Sequence, residues 1–430
     1  MASGESIWKV LVFVVIVTYV CYITEISNFY PDWNFATNLR PSFIDKIASV
    51  VRAEDSREEI EMTAASGELS NKERLELIYK ELPEGREKSK RYFSLPLTTT
   101  WSGGGVGNQL FEVFALLGLS NSSHRTPLVF QKNGSVLGKM LARIRLHFPA
   151  LIEQITLVSN PAILENTTDV ALHRKGCCRY WPIDELLEKN TSAVVSGRGI
   201  YFQSHLYWIH IRPSLLKWMT PSEFAANETK YAFRERDLVE GQVLCVHARR
   251  GNFLHTRQAA SEANFTQSAT KYIIKKYLKK KPGPITVLLF SNDLSWMRET
   301  YSEIYRNKND NESFVQVGNV LYILVDNLSA FNTLIVAKDY CDNFLITAAA
   351  STYAYMMSFL AKNGRAKVFY AEHFATPYNT LPRHFNPKEF HLPHWIPLRL
   401  LDNLDITQIS RDEIQPWATT SRPTTKKANG

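Results

Sequence analysis

The sequence predicts an α/β protein whose strands form open, mostly parallel sheets in two successive halves. Segments of strand character alternate with helical segments between residues 93 and 146, and again, more regularly, between residues 243 and 370. This alternation favours right-handed crossovers between parallel strands. Since open α/β sheets bind ligands at the carboxyl ends of their strands, two such halves suggest a cleft between them.

In the first half, strands are expected at 93–97 and 127–130, and helices at 108–119 and 136–146. Residues 151–230 show no clear period, although they contain the aromatic-rich run YFQSHLYWIHIRP. In the second half, the expected strands are 243–246, 285–290, 320–324, 344–347 and 367–370. Helices are expected between them, near 267–280, 295–305, 331–339 and 352–362. The predicted α/β halves are therefore residues 92–235 and 236–405.

The segments outside these halves differ in composition. Residues 27–91 include a charge-rich stretch from 52 to 90 and are typical of a stem. Residues 406–430 end in TTSRPTTKKANG, and we expect them to form a disordered tail.

Composition and charge are compatible with several classes of binding partner. Of the 430 residues, 45% are hydrophobic, which suffices for a packed core. The formal net charge of +8 is compatible with an anionic ligand, nucleic acid or a membrane surface. Six lysines between 271 and 281 are the best argument for nucleic acid, but apolar residues at 273, 274, 277 and 278 form the opposite helix face. A solvated helix surface explains these lysines, so no nucleic-acid partner is expected.

The N-terminus predicts a membrane anchor at residues 7–26. Residues 10–23 carry no charge, and the 17 residues from Ile7 would span roughly 26 Å as a helix. No small-x-small cleavage site follows, which argues against a cleaved signal peptide. Lys9 precedes the span while Glu25 and Asp32 follow it, so residues 1–6 are expected to be a cytoplasmic tail. The remaining alternative is a buried core helix.

The glycosylation sequons and the cysteines provide information on the cellular compartment of the protein. Eight N-x-S/T sequons follow the anchor, more than chance would give, and predict a secretory-pathway glycoprotein. They begin at Asn121, Asn133, Asn166, Asn190, Asn227, Asn264, Asn311 and Asn327. The five cysteines are too few and too widely spaced for a zinc ribbon. Cys177 and Cys178 are neighbours, so each is expected to pair elsewhere rather than with the other. If the four cysteines after Cys21 are luminal, three disulfide pairings are possible, and the sequence does not choose between them.

A glycine turn, GGGVGNQ at 103–109, follows the first expected strand and opens the first expected helix. Its glycines would let backbone N–H groups approach a ligand at the positive end of the helix. The spacing is not that of a dinucleotide fingerprint, and a tight turn without a ligand is the alternative. The candidate residues of this turn are Gly105, Gly107, Asn108 and Gln109.

The segment CVHARRGN at 245–252 is the most informative in the chain. A strand ends there, and His247, Arg249 and Arg250 follow at its carboxyl end. Arginine binds a diphosphate through bidentate, charge-assisted hydrogen bonds. A fixed guanidinium also stabilises the negative charge that a diphosphate leaving group gains in the transition state. The alternative is a surface salt bridge.

Two further strand-to-helix turns carry polar side chains. In FSNDLSW at 290–296, Ser291 or Asp293 could cap the following helix or contact a ligand. In TAAAST at 347–352, Ser351 and Thr352 could bind phosphate at a helix N-terminus, and capping explains them equally well.

In order and spacing, these four segments resemble the alpha-1,2-fucosyltransferases of glycosyltransferase family 11. That family has a G-x-G-N-Q turn, an H-x-R-R-G-D segment, an F-S-x-D-x-x-W segment and an S-T-F-x-W-W segment. Their counterparts here are 105–109, 247–252, 290–296 and 351–356, and the resemblance extends over about residues 92–373. It implies a GT-B-like fold of two facing Rossmann-like domains, with the acceptor on the side of 92–235 and the donor on that of 236–405.

The resemblance also implies an activity. The donor would be GDP-fucose, the acceptor a galactose-containing glycan, and transfer would invert the sugar carbon, with no essential metal or cofactor. The nearest D-x-D-like pattern, at 310–312, overlaps a sequon. The expected setting is the Golgi membrane, with a single-pass type II anchor and a luminal catalytic domain.

Residue roles follow from the same resemblance. Arg249 would hold the GDP phosphates, Ser351 and Thr352 would contact the nucleotide, and the general base stays unassigned. Further donor contacts are assigned to His247, Arg250, Ser291 and Asp293, and catalytic roles to Arg249 and Asn252.

Two departures from the family pattern affect these roles. Asn252 stands where the family usually has Asp, so it can keep part of the hydrogen bonding but not the charge. Tyr353-Ala354-Tyr355-Met356 replaces the usual aromatic run, which would reshape a wall of the site or repack a helix. A catalytically weak or inactive relative that binds glycans is therefore the alternative function.

Overall fold

The computed structural model describes residues 91–100, 104–131, 135–159, 167–172, 178–256, 258–280, 282–305, 313–376 and 385–415. The predicted cytoplasmic tail and anchor, and the predicted stem up to residue 90, lie outside these ranges. Among the helices in these ranges, none combines the length and the apolar character needed to cross a bilayer.

The first half forms a five-stranded parallel sheet with strand order β3-β2-β1-β5-β4. Its strands are β1 (Tyr92–Ser94), β2 (Thr126–Phe130), β3 (Thr156–Val158), β4 (Thr167–Ala171) and β5 (Val194–Arg198). The helices of this half and of the following connection are α1 (Val106–Ser122), α2 (Val136–His147), α3 (Pro149–Ile152), α4 (Asp184–Lys189), α5 (Arg212–Trp218) and α6 (Glu223–Ala232). In its described residues, the stretch without a clear period thus contains the strands β3 to β5, the short helices α4 to α6 and two 3-10 turns at His205–Tyr207 and Ile209–Ile211.

The second half forms an eight-stranded sheet with strand order β13-β12-β11-β10-β6-β7-β9-β8, antiparallel only at its two edges. Its strands are β6 (Gln242–Ala248), β7 (Ile285–Ser291), β8 (Phe314–Val317), β9 (Val320–Leu324), β10 (Asn343–Ile346), β11 (Lys367–Ala371), β12 (Ile396–Leu400) and β13 (Ile406–Gln408). The helices are α7 (Ala263–Ile273), α8 (Leu294–Thr300), α9 (Ser302–Tyr305), α10 (Ala330–Tyr340), α11 (Thr352–Gly364) and α12 (Pro387–Phe390).

These elements confirm the predicted α/β class with parallel sheets. All five strands predicted in the second half are present, and β6 lies near the centre of the sheet between β10 and β7. The helix predicted near 295–305 is divided into α8 and α9, and the one near 267–280 is α7 followed by a π-helical turn at Ile274–Leu278. The lysines at 271, 275, 276, 279 and 280 are exposed, as expected for a solvated helix surface.

The two halves share one apolar core. Helix α1 of the first half packs against α11 of the second, and the Trp208 ring lies between them. The centre of that ring is 5.5 Å from the Phe114 ring of α1 and 5.2 Å from the Phe359 ring of α11. All three side chains are at most 1% exposed, so separating the halves would expose a large aromatic surface.

A disulfide joins Cys245 of β6 to Cys341 at the end of α10, with 5.6 Å between the Cα atoms. This bond belongs to one of the three pairings that the sequence left open. It occupies both of the cysteines with which Cys178 was expected to pair, and Cys177 lies outside the described residues. The disulfide fixes the central strand two residues before His247.

The prediction of a disordered tail from residue 406 is wrong for residues 406–415. Strand β13 pairs with β12, and the Arg399 guanidinium of β12 binds Glu372 at 2.7 and 2.5 Å. The same buried carboxylate accepts the backbone N–H of Gln415 at 2.9 Å. Sheet pairing and this buried ion pair order the segment; residues 416–430 lie outside the described ranges.

Candidate active site

Arg249 follows the carboxyl end of β6. Its backbone N–H donates to the Ser261 hydroxyl at 2.8 Å, and its Nη2 donates to Asn252 Oδ1 at 2.7 Å. The guanidinium carbon is 5.4 Å from the centre of the Phe253 ring. Burial lowers the pKa of Arg249, but a guanidinium remains charged at neutral pH. The structure therefore fixes a cation at this strand end.

Arg250 is held by the next strand along the sheet. Its backbone N–H donates to Asn292 Oδ1 at 2.9 Å, and its Nη1 donates to the Ser261 carbonyl at 2.9 Å. Its Nε is 3.7 Å from Asp293 Oδ2, and its guanidinium carbon is 4.5 Å from the centre of the Trp296 ring. Within the described ranges, Arg250 pairs with the Asp293 carboxylate and Arg249 pairs with none, so the two arginines keep an excess of positive charge.

His247 is buried and neutral. Burial, and then the charge of Arg249, lower the pKa of His247 from 6.5 to about 3. Its ring lies edge-on to the Tyr353 ring, with 5.6 Å between the centres, and its Nδ1 has no hydrogen-bond partner among the described atoms. The strand end thus presents two cations and a neutral imidazole.

A buried hydroxyl pair joins the loop between β6 and α7 to the residue that follows β10. The Ser261 and Thr347 hydroxyl oxygens are 2.6 Å apart, and the Thr347 hydroxyl donates to the His247 carbonyl at 3.0 Å. Ser261 is therefore the common support of Arg249, Arg250 and the loop that leads to α11. Sequence reasoning missed it, because no periodic pattern surrounds it.

The segment at 290–296 begins at the end of β7. Asp293 accepts the backbone N–H of Trp296 at 3.0 Å and so caps α8, while the Ser291 hydroxyl accepts the N–H of Asp293 at 2.9 Å. The capping interpretation is confirmed for Asp293, which also faces Arg250. Ser291 supports this turn.

The segment at 351–356 begins α11 after the end of β10. The Ser351 hydroxyl caps the helix by accepting the Ala354 N–H at 3.2 Å. The Thr352 hydroxyl instead donates to Asn108 Oδ1, in the glycine turn of the other half, at 2.8 Å. The capping interpretation is therefore confirmed for Ser351 only.

The glycine turn brings the N-termini of α1 and α11 into contact. A Cβ on Gly107 would lie 2.5 Å from the Thr352 carbonyl carbon, whereas a Cβ on Gly105 would meet no atom within 4 Å. Gln109 secures the turn by donating its Nε2–H to the Gly104 carbonyl at 3.0 Å. The absence of a side chain at Gly107 thus lets α1 of the first half approach α11 of the second half closely.

Gln203 completes this contact, and sequence reasoning missed it as well. Its Nε2 donates to Asn108 Oδ1 at 2.8 Å, so this oxygen accepts from both Gln203 and Thr352. Gln203 lies in the aromatic-rich run at 201–213, where no period marks individual positions.

All four segments are joined by a continuous series of contacts. Asn108 binds Thr352, the neighbouring Tyr353 ring meets His247, and Arg250 binds Asn292. Three of the segments follow the carboxyl ends of β10, β6 and β7, which are adjacent in the sheet. No His, Cys, Asp and Glu side chains of the described ranges form a cluster that could hold a metal ion.

The chain is similar in sequence to several known proteins. A galactoside 2-alpha-L-fucosyltransferase of Caenorhabditis elegans is 27% identical over 342 residues, which cover 77% of this chain and 83% of the relative. A second C. elegans protein of that name is 28% identical over 285 residues, which cover 66% of this chain and 74% of the relative. No family model matches.

The chain is similar in sequence to galactoside 2-alpha-L-fucosyltransferases. This confirms the resemblance predicted from the four segments and the enzyme class predicted with it. Among solved structures, the chain is similar to a mutant of Arabidopsis thaliana FUT1 in complex with GDP, with 10% identity, a TM-score of 0.41 and coverage of 75% of this chain and 78% of that one.

The two departures from the fucosyltransferase pattern have different consequences. Asn252 accepts a hydrogen bond from Arg249, so the residue at this position still orients the arginine. Ala354, Tyr355 and Met356 are at most 1% exposed and belong to the core. Among the side chains of the replaced run, the Tyr353 ring packs against His247 and the other three lie in the core, so repacking of a helix accounts for most of the change.

The sequons differ in exposure. The side chains of Asn121, Asn227, Asn264 and Asn327 are exposed, and Asn190 is half-buried. Asn133, Asn166 and Asn311 lie outside the described residues.

Proposed function

We propose that the protein is an inverting fucosyltransferase that moves L-fucose from GDP-fucose to a galactose hydroxyl of a glycan in alpha-1,2 linkage. The proposal rests on the contacts that bring the four segments together. These contacts occur in a chain that is similar in sequence to galactoside 2-alpha-L-fucosyltransferases. The two sheets would act as the facing domains of a GT-B-like fold, with the donor on the second.

The donor would bind at the strand ends of the second sheet. Of these two arginines, Arg250 is paired with Asp293 and Arg249 with no carboxylate of the described ranges, which leaves positive charge for a diphosphate. As the bond to the sugar breaks, negative charge grows on the leaving diphosphate, and a fixed guanidinium stabilises it. Arg249 is already oriented by Asn252 and its backbone is fixed by Ser261, so little reorganisation is needed.

Proton transfer from the acceptor hydroxyl would not involve Asn252. An amide is not a base at neutral pH, and its Oδ1 already accepts from Arg249. Asn252 would therefore act as a positioning residue, and the base stays unassigned. No metal has a role in this proposal.

The proposed setting is the Golgi membrane, with a type II anchor at 7–26 and a luminal catalytic domain. The disulfide between Cys245 and Cys341 supports an oxidising compartment, and the exposed sequons are accessible to glycosylation there. After glycosidase treatment, the expressed protein should move faster on a gel. Alkaline carbonate should not release it from membranes, and an unglycosylated, freely soluble product would contradict the proposed setting.

GDP binding is the first test of the donor site. GDP should raise the thermal midpoint of the purified protein, a uridine diphosphate should raise it less, and Arg249→Ala should abolish the shift. Arg365→Ala is the matched control, because Arg365 is exposed and bonds only within its own turn. Equal stabilisation by both nucleotides would argue for another donor.

Transfer from GDP-fucose to a galactoside acceptor is the second test. Radiolabelled fucose should appear in the product, and a specific alpha-1,2-fucosidase should remove it. Asn252 is the observation that favours the alternative, a glycan-binding relative with little activity. GDP and galactoside binding without transfer or donor hydrolysis would favour that alternative.

A further inference from the structure

A buried polar cluster lies directly behind the loop that carries Ser351 and Thr352. It is formed where α11 meets the 205–212 segment of the first half and the 387–411 segment of the second. Its members, called here the Arg411 cluster, are His205, Trp208, Arg212, Tyr355, Tyr370, His391 and Arg411. Trp208, Tyr355, Tyr370, His391 and His205 are at most 2% exposed.

Close contacts hold these side chains together. The Tyr370 and His391 rings stack with 3.9 Å between their centres, and the Arg411 Nη2 donates to the His391 carbonyl at 2.8 Å. The Trp208 and Tyr355 rings meet edge to face at 6.3 Å. Arg212 is tied to the end of α11, where its Nη2 donates to the Gly364 carbonyl at 2.5 Å.

The cluster has more hydrogen-bond donors than acceptors. Trp208 Nε1, Arg212 Nε, Tyr355 Oη, Tyr370 Oη and Arg411 Nε are buried without a hydrogen-bond partner among the described atoms. The indole and guanidinium groups can only donate, whereas the two tyrosine hydroxyls can both donate and accept. A buried donor without an acceptor is costly, so these five atoms call for a further acceptor.

The two histidines do not balance the donors. His391 Nε2 lies 3.2 Å from the Ala349 carbonyl and must donate to it, which leaves His391 Nδ1 as an acceptor. His205 Nδ1 is the other unpartnered histidine atom in the cluster. Burial lowers the pKa of His391 to about 3 and that of His205 to about 4, so both rings are neutral and each offers one acceptor. Together with the two tyrosine hydroxyls they provide four acceptors for the five donors.

The charges are also unbalanced. Neither Arg212 nor Arg411 forms an ion pair with a carboxylate of the described ranges. Asp412, next to Arg411, is exposed and pairs with Lys388, and the buried Glu372 is occupied by Arg399. Buried or half-buried guanidinium groups are normally paired, so the cluster lacks a negative charge as well as an acceptor.

We propose that the Arg411 cluster binds a small inorganic anion, chloride in the simplest case. Such an ion supplies both the acceptor and the negative charge in the space of one atom. The ion would also support the candidate site, since His391 holds the carbonyl of Ala349, two residues before Ser351, and Tyr355 lies in the first turn of α11. This inference concerns binding and stability and is independent of the proposed transfer reaction.

The test is thermal unfolding of the full-length protein at fixed pH and ionic strength, with chloride or bromide replacing gluconate. Binding to the folded state predicts a midpoint that rises with halide concentration and follows a single-site curve. Arg411→Gln should raise the halide dissociation constant at least tenfold. Arg365→Gln, at an exposed arginine near the end of α11, should leave the constant unchanged.

Tyr355→Phe provides a second variant if Arg411→Gln does not fold. It removes one hydroxyl from the cluster, and we expect the halide dissociation constant to rise at least threefold. Equal midpoints in halide and gluconate for the unaltered protein would overturn the proposal, because the cluster would then hold only water. A halide effect that both Arg411→Gln and Tyr355→Phe retain in full would place the ion elsewhere and overturn it equally.

Discussion

Asn252 illustrates how one side chain can keep the geometry of a site and lose its charge. Its Oδ1 holds Arg249 Nη2 at 2.7 Å, a contact that an aspartate could make with the same atom. A carboxylate would add charge assistance and offset the repulsion between Arg249 and Arg250. The exposed position of Asn252 weakens that gain through solvent screening.

We therefore expect Asn252→Asp to raise the transfer rate while GDP affinity changes by less than about tenfold, or ~1.4 kcal/mol. The measurements are the initial rate from GDP-fucose to a galactoside acceptor and the GDP dissociation constant. Asn319→Asp, at an exposed asparagine outside the candidate site, controls for added charge. A fast native enzyme that Asn252→Asp slows would contradict this account of the position.

At the scale of elements, the predictability of the fold follows from burial. Strands such as β6 and β7 are buried on both faces, so their continuous apolar runs were recognisable in the sequence. Strands β8 and β13 are short, partly exposed edge strands and were not recognised. Residues 151–230 fold into short pieces that a helical or strand period does not reveal.

The residues of the candidate site that lie at strand ends were also predictable from the sequence. Residues at the ends of adjacent parallel strands meet by topology alone, which places Arg250 beside Asp293. Ser261 and Gln203 reach the site from loops, through contacts between positions distant in sequence. No local pattern encodes such contacts, so these supports could not be found from the sequence.

Substitutions in the glycine turn test how closely α1 and α11 pack against each other. Gly107→Ala would place a Cβ 2.5 Å from the Thr352 carbonyl carbon, and we expect it to lower the free energy of unfolding by about 1–3 kcal/mol. Gly105→Ala, two residues earlier with no atom within 4 Å of the new Cβ, should change it by less than about 1 kcal/mol. Denaturant unfolding of both variants measures the difference, and equal effects would show that the close approach is not rigid.

The disulfide joins two elements of the second sheet, β6 and α10. It closes a loop across a separation of 96 residues, and removing such a bridge typically costs about 2–5 kcal/mol. We expect the double variant Cys245→Ala and Cys341→Ala to unfold at a lower temperature than the unaltered protein under non-reducing conditions. Identical midpoints would mean that the bridge contributes nothing to the folded state.

On the scale of the whole molecule, the two halves form one packed body. The core around Trp208 includes side chains of both sheets' helices, and the Asn108 side chain links Gln203 of the first half to Thr352 of the second. Loss of this interface would therefore disturb the candidate site together with the core.

Buried histidines on both sides of that interface make stability depend on pH. Burial lowers the pKa of His247 and His391 to about 3 and that of His205 to about 4, from 6.5 in the unfolded chain. Below pH 6.5 the unfolded state therefore binds protons that the folded state does not. The contribution of these three histidines to the free energy of unfolding is fully present above pH 6.5. It is lost as the pH falls from 6.5 towards 3–4.

We expect the free energy of unfolding to fall between pH 6.5 and 4.5, with each of the three histidines adding up to about 1.4 kcal/mol per pH unit. Denaturant unfolding in gluconate buffers measures the slope without halide binding. His205→Gln should make the slope shallower because one buried imidazole is gone, whereas His255→Gln, at an exposed histidine, should leave it unchanged. A slope that His205→Gln and His255→Gln alter equally would show that burial of His205 does not control its protonation.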